Sequence, residues 1–310
     1  MQTEILVTGG EGLLGKALRD VCPEAVFVSR KDCELKDLTQ TEHLFEIHKP
    51  KKVLHLAAET GGIKLNQSNG TELFESNLLI NTNVLRAAKE HGVQRLISIL
   101  AGCAFQFSTT SPSAEEDLHK GFPFSGSLGF GYSKRALDVH TRLIRKQYGF
   151  EYSTMTPVTI YGPFDNWDLE TGHVMGSLIH KCFLAKQRNG SLEVWGSGRA
   201  MRQFVYSLDV ARLLIRALDS FTDAETVVVA PDNGITIKDL AHLIAKVVEF
   251  DGPIIFNTSK PEGESIKLLR SNKFNRLFPD FSFTPLEEGL KKTVAWFCEN
   301  YPTFALKGQT

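Results

Sequence analysis

The chain has 310 residues, 42% hydrophobic and 23% charged, with a net charge of -1. These proportions describe a globular, soluble chain, long enough for one large α/β domain with a smaller appendage or for two domains. The near-neutral balance gives no electrostatic footing for nucleic acid or an anionic membrane, and no apolar run approaches a membrane span.

Met1-Gln2-Thr3-Glu4 lacks a basic stretch and leads straight into a strand, so no signal peptide is expected. Residues 5–8 read as a short apolar strand, 9–15 as a glycine-rich turn and 13–21 as a helix. A second strand is expected at 25–29, a helix at 39–48, a third strand at 52–57 and a long amphipathic helix at 78–91. A fourth strand at 94–100, a helix at 132–148 and a fifth strand at 152–156 follow. Such alternation predicts a parallel sheet covered on both faces, and right-handed crossovers leave a Rossmann-like doubly wound α/β arrangement. Beyond Gly162 the pattern is irregular, with helices at 174–187, 207–221, 237–248 and 286–299 and strands at 192–195, 226–229 and 254–256. We assign residues 1–162, with roughly 200–225, to a nucleotide-binding domain, and 163–199 with 226–310 to a smaller C-terminal α/β substrate lobe. The five cysteines (Cys22, Cys33, Cys103, Cys182, Cys298) are an odd, scattered set without Cys-x-x-Cys spacing. They fit a reducing, cytoplasmic setting and argue against a metal site.

The first chemical motif is Thr8-Gly9-Gly10-Glu11-Gly12-Leu13-Leu14-Gly15, after a strand and opening a helix. Gly9 permits a tight turn, Gly12 lets the backbone approach a pyrophosphate, and Gly15 lets helix and strand pack closely. Leu13 and Leu14 begin the helix whose N–H groups face the anion. The Gly-x-x-Gly-x-x-Gly spacing is the form used by short-chain dehydrogenases. A plain glycine-rich loop is the alternative, and the strand before it argues against that. At the end of the second strand, where an acidic residue would select NAD, stand Ser29-Arg30-Lys31. A hydroxyl and two cations suit a 2′-phosphate, so NADP(H) is the expected cofactor; solvated surface charge is the bland alternative. Asp37 and Leu38 are placed to frame the adenine. Ala57 and Ala58 end the third strand with room for a cofactor across the sheet edge.

Several stretches run in order through nearly the whole chain: TGGEGLLGKAL, HLAAETGGI, Asn81-Thr82-Asn83-Val84-Leu85, Cys103-Ala104-Phe105, Tyr161-Gly162-Pro163-Phe164-Asp165-Asn166, Gly172-His173-Val174, VWGSG with Met201-Arg202-Gln203-Phe204, and Ser259-Lys260-Pro261-Glu262-Gly263. On these the sequence resembles the GDP-L-fucose synthase family, the GDP-4-keto-6-deoxymannose 3,5-epimerase/4-reductases among the extended short-chain dehydrogenases. The resemblance implies NADP(H), a GDP-linked 4-keto sugar as substrate, and a homodimer packed through the helices at 78–91 and 132–148. It adds Lys134, Pro157 and His173 to the cofactor set.

It also implies two stages of chemistry. A C4 carbonyl acidifies the protons at C3 and C5, and an acid–base pair on opposite sides of the ring removes and returns them. Cys103 and His173 hold those positions. A buried structural thiol and a surface histidine are the bland alternatives. In the second stage hydride reaches C4 while a tyrosine, tuned by a lysine, gives a proton and a serine orients the carbonyl. Lys134 is present, but Phe130 stands at the tyrosine position and Ala101 at the serine position. Tyr132 is a poor substitute, because residues two apart on a helix point away from each other. The two changes each delete one oxygen and together read as an inactivated variant that still binds. A natural epimerase-only lineage, a related GDP-4-keto-hexose or heptose enzyme, and a non-catalytic nucleotide-sugar or NADP-binding protein are the other readings. Asn166, Lys181, Trp195, Arg202 and Lys267 are candidate substrate contacts. Arg202 suits a pyrophosphate, and Trp195 is read as packing residue before base-stacking platform. Phe164, where the family commonly has histidine, and Gly176, where it commonly has proline, depart from the pattern.

Overall fold

The computed structural model describes residues 4–106, 112–260 and 262–307. Met1–Thr3 and Pro261, both used above, lie outside the described residues. The chain opens with β1 (Ile5–Thr8), α1 (Leu13–Arg19), β2 (Val26–Val28), α2 (Leu38–His48) and β3 (Lys52–His55). Then come α3 (Ile63–Ser68), α4 (Gly70–Glu90), β4 (Arg95–Ile99), α5 (Leu128–Tyr148), β5 (Glu151–Pro157) and β6 (Thr159–Tyr161). The remainder holds α6 (Val174–Gln187), β7 (Leu192–Trp195), β8 (Met201–Arg202), β9 (Phe204–Tyr206), α7 (Ser207–Ser220), β10 (Val227–Val229) and β11 (Ile235–Thr236). It closes with α8 (Ile237–Val248), β12 (Ile254–Asn257), β13 (Ile266–Lys267), α9 (Asn272–Leu277) and α10 (Leu286–Lys307).

Six strands pair in parallel in the order β10-β5-β4-β3-β1-β2. The inner strands are largely buried, and Val227–Val229 reads as an unbroken apolar run. Helices α4 and α5 pack side by side, with α2 against α4, while α1 and α7 pair elsewhere and α7 lies on β3, β4 and β6. The sheet is thus covered on both faces, the doubly wound arrangement expected from the sequence. From β1 the chain steps outward to β2 and returns on the other side to β3. That reversal opens a crevice beyond the strands' C-terminal ends.

Two separate cores exist. One surrounds the sheet and includes Leu6, Phe45, Leu54, Val84, Leu96 and Val228. The second joins α6, α8 and α10 through Met175, Ile179, Leu240, Ile244, Leu290 and Phe297, over the parallel pair β7 and β12. Val227–Val229, assigned from sequence to the smaller lobe, are instead the outer strand of the large sheet beside β5. Leu269, Phe274 and Phe278 likewise belong to the first core. A short apolar strand looks the same in either lobe, and only its pairing partner distinguishes them.

Helices α4 and α5 begin earlier than their apolar periodicity suggested, at Gly70 and Leu128. Glycines hid both starts. A Cβ on Gly129 would lie 2.3 Å from the Gly70 carbonyl oxygen, so close helix approach, not chain reversal, explains that glycine. The extra turn puts Phe130 and Lys134 on one helical face.

Candidate active site

The ends of β1, β2 and β3 frame a cleft of about 660 Å³ lined by Gly9, Gly12, Leu13, Leu14, Ser29, Arg30, Ala57, Ala58 and Glu59, among others. Gly9 sits at φ +75°, and a Cβ there would stand 2.8 Å from the Ala57 backbone nitrogen. One on Gly15 would stand 2.4 Å from the Gly9 carbonyl oxygen. Gly12 caps α1 with no side-chain hydrogen bond, so nothing of its own competes for the first-turn N–H groups. Side chains at these positions would fill the cradle, and the residues present fit a dinucleotide's diphosphate. Asp37 and Leu38 lie outside the residues that line the cleft. Asp37 caps α2, its carboxylate accepting from the Gln40 N–H at 3.1 Å. An acidic residue in such a loop marks a helix start as readily as a nucleotide contact.

A second cavity of about 680 Å³ shares the wall at Gly12, Leu13, Leu14, Leu56 and Ala58 and extends into the smaller lobe. Ala101, Cys103, Phe130, Lys134, Pro157 and His173 all line it. Cys103 lies in a 3-10 turn, Gly102–Ala104, that follows β4. His173 caps the N-terminus of α6. Residues from two lobes are therefore brought onto one cavity. Gly102 makes room for a further cation, because a Cβ there would meet Lys267 Cε at 3.3 Å and Nζ at 3.9 Å.

The Lys134 ammonium donates to the Ile99 carbonyl at 2.9 Å and lies 5.5 Å from the centre of the Phe130 ring. Burial pushes its pKa down to about 8, and Cys103 pulls the other way. Burial likewise lowers the His173 pKa, reinforced by the charge of Lys267, so the imidazole is neutral near pH 7. Burial lowers Lys267 as well, against the influence of Cys103. The thiol thus lies within electrostatic reach of two ammonium groups. Tyr132 lines neither cavity, and the Arg135 guanidinium sits 5.6 Å over its ring.

Asn166, Lys181, Trp195, Arg202 and Lys267 also line the second cavity. Together with Lys134 they bring four basic side chains to one cavity, where Glu262 and Glu264 also lie; the basic groups suit an anionic diphosphate. Trp195 is a correction. It belongs to neither core, faces the cavity, and carries Lys181 Nζ at 4.4 Å and Lys260 Nζ at 5.6 Å over its ring. A tryptophan ending an apolar strand looks like core until the cations over it are seen. The two departures from the family pattern have structural roles. Phe164, at φ +71°, sets its ring 4.6 Å from Trp296 and 5.2 Å from Lys16 Nζ, on the cavity wall. A Cβ on Gly176 would stand 2.8 Å from the Asn166 carbonyl oxygen.

Two wall residues escaped the sequence reading. Asp165 is buried at the second cavity; burial pushes its carboxyl up to about 7, and its Oδ2 has no partner among the described residues. Glu59 lines the first cleft and pairs with Arg30 and Lys36. Both lie inside quoted motifs (Phe164-Asp165-Asn166, Ala58-Glu59-Thr60), and their charge was the signal.

A glycine-cradled crevice at a strand-order reversal, opening onto a cavity with thiol, imidazole and lysine, defines a nucleotide-dependent enzyme of the short-chain dehydrogenase kind. Residues 5–230 match the NAD dependent epimerase/dehydratase family, and the chain belongs to that family. Within it, the similarity runs to GDP-L-fucose synthases. That of Dictyostelium discoideum is 39% identical over 96% of both chains, and that of Escherichia coli K12 is 29% identical over 97% of this chain and 98% of its own. Among solved structures, a GDP-L-fucose synthetase from Naegleria fowleri bound to NADP superposes with a TM-score of 0.91 at 35% identity, covering 98% of this chain and 95% of that one.

Proposed function

We propose that the chain is an NADP(H)-binding enzyme of the GDP-L-fucose synthase type, acting on a GDP-linked 4-keto-6-deoxy sugar, with its epimerase apparatus intact and its C4 reduction disabled. The observation that carries this reading is the make-up of one cavity wall. Cys103, His173 and Lys134 are there, while Ala101 and Phe130 offer no oxygen. The glycine cradle, Ser29 and Arg30 would hold NADP(H), as the NADP-bound Naegleria relative supports. The cofactor supplies the hydride that C4 reduction requires.

The cationic wall of Lys181 and Arg202 orients the diphosphate, and Trp195 offers a face to the base. With the sugar ring between the two lobes, Cys103 and His173 approach from separate elements, as removal and return of a proton on opposite faces demands. The neutral imidazole can donate or accept, and the ammonium groups of Lys134 and Lys267 lie near the thiol. They also stabilise the enolate formed at C4. Reduction needs a further proton at the C4 oxygen. Lys134 reaches toward a ring that has lost its hydroxyl, and Tyr132 faces elsewhere. A missing general acid lowers the rate by roughly 10²–10⁴-fold.

Deuterium wash-in tests the reading. In heavy water, a GDP-4-keto-6-deoxy sugar should gain deuterium at C3 and C5, and Cys103→Ser or His173→Gln should suppress it. Tight binding of sugar and NADPH with no exchange would instead identify a sensor protein. Two assembly-level readings join the proposal. Leu79 of α4 and Val139 and Leu143 of α5 are 49%, 45% and 56% exposed, which supports a homodimer through these helices. The five free cysteines support a reducing, cytoplasmic setting; among the described residues no helix is long and apolar enough to cross a membrane.

A further inference from the structure

We propose that Glu59 determines how strongly this chain prefers NADP(H) to NAD(H), by holding Arg30 when no 2′-phosphate is present and yielding it when one arrives. Glu59 follows Ala57-Ala58 and shares a wall of the nucleotide cleft with Ser29 and Arg30. Its backbone is fixed by the buried Asn77 of α4. The Glu59 N–H donates to Asn77 Oδ1 at 3.1 Å, and Asn77 Nδ2 donates to the Glu59 carbonyl at 2.8 Å. The residue is therefore anchored at the wall while its side chain stays able to turn.

One carboxylate oxygen, Oε1, accepts from Arg30 Nη2 and from Lys36 Nζ, the latter at 3.1 Å. Arg30 also has Glu34 at 3.7 Å, and the Ser29 N–H and hydroxyl are both taken by Asp32, at 2.8 and 2.6 Å. The groups suited to a 2′-phosphate thus already hold carboxylates. Binding the phosphate is an exchange of anions on Arg30, not the filling of a bare cationic site. Glu34 and Asp32 are more open to solvent and more easily screened; Glu59, with a side chain only 23% exposed and gripped by two cations, is the anion the phosphate must displace. Burial pulls the Glu59 pKa up, but the hydrogen bonds from Lys36 and Ser76 and the charges of Lys36 and Arg30 prevail and keep it ionised at neutral pH. A carboxylate in this place repels a 2′-phosphate and accepts hydrogen bonds from an unmodified ribose diol. Glu59 and Arg30 therefore push cofactor choice in opposite directions, and the wild-type preference is narrower than Arg30 alone would give.

Binding of NADPH and NADH, followed by nicotinamide fluorescence, tests this without any turnover. Glu59→Gln should raise the NADPH-over-NADH affinity ratio by on the order of 10-fold, a typical size for coupled sites. Arg30→Ala should collapse the ratio, and in that background Glu59→Gln should change it by clearly less than in the wild type, leaving only the direct effect of the carboxylate on the ribose. A ratio unmoved by Glu59→Gln, with both affinities shifting together, would overturn the idea and leave Glu59 as a structural ion pair. So would a ratio that survives Arg30→Ala, a change at an exposed side chain that the fold tolerates. The inference rests on NADP(H) occupying this cleft. Failure of the wild-type chain to bind either cofactor would remove that reading instead.

Discussion

At position 130 a single side-chain oxygen separates Phe130 from a tyrosine, the residue type that the proposed reduction needs to give a proton to the C4 oxygen. Lys134 is in place, on the same helical face, with its ammonium 5.5 Å from the Phe130 ring centre. Phe130→Tyr with Ala101→Ser should therefore restore NADPH oxidation on the GDP-4-keto sugar by roughly 10²–10⁴-fold over the unmodified chain. Background oxidation with every such sugar would discard the reductase ancestry. A second prediction concerns Gly102. Gly102→Ala should press on Lys267, whose Cε would stand 3.3 Å from the added Cβ, and slow deuterium exchange at C3 and C5 by roughly 10-fold, leaving NADPH affinity unchanged. At this scale the sequence was most legible where a motif fixed both residue and spacing, as for Gly9, Gly12, Cys103 and His173. It was least legible where one residue type serves two purposes. Asp37 was read as framing the adenine and serves as a helix cap, while the charge of Glu59, beside two small alanines, went unread.

Among the elements, the end of β3 carries a buried titratable group with no part in the chemistry above. His55 Nδ1 meets the Thr8 hydroxyl at 2.8 Å, and Nε2 meets Asn81 Oδ1 at 3.0 Å, tying β1 and β3 to α4. Burial first, then the charge of Lys134, lowers its pKa from 6.5 to about 3. A histidine depressed in the folded state stabilises the fold above its unfolded pKa, and that contribution fades as pH falls from 6.5 toward 3. Urea unfolding should show a loss of about 2–3 kcal/mol from this group between pH 6.5 and 4.5, and His55→Gln should flatten the slope. An unchanged slope would show that His55 is already charged in the folded chain. Helices α6 and α8 match their expected ranges; α8 has one strong apolar face, whereas α6 is apolar on more than one side and is marked by its length. The two-residue strands β8, β11 and β13 were not foreseen, because pairing between distant segments creates them and no local pattern announces it.

For the whole molecule, Leu79, Val139 and Leu143 present apolar side chains on the outer side of the α4 and α5 pair. Val139→Glu with Leu143→Glu should weaken self-association by on the order of 10²-fold in sedimentation experiments; an unaltered dimer would place the contact elsewhere. The doubly wound architecture was readable from the alternation of strands and helices. The route of the chain between the two cores was not, because β10 and α9 carry no local mark of the lobe they serve. Those late segments have a bearing on biosynthesis. Val227–Val229 close one side of the large sheet, and Phe274 and Phe278 cover that side. A ribosome that has released only the first 220 residues has therefore exposed a sheet with an open, apolar margin. Nascent chains stalled there should depend on holding factors that shield such margins.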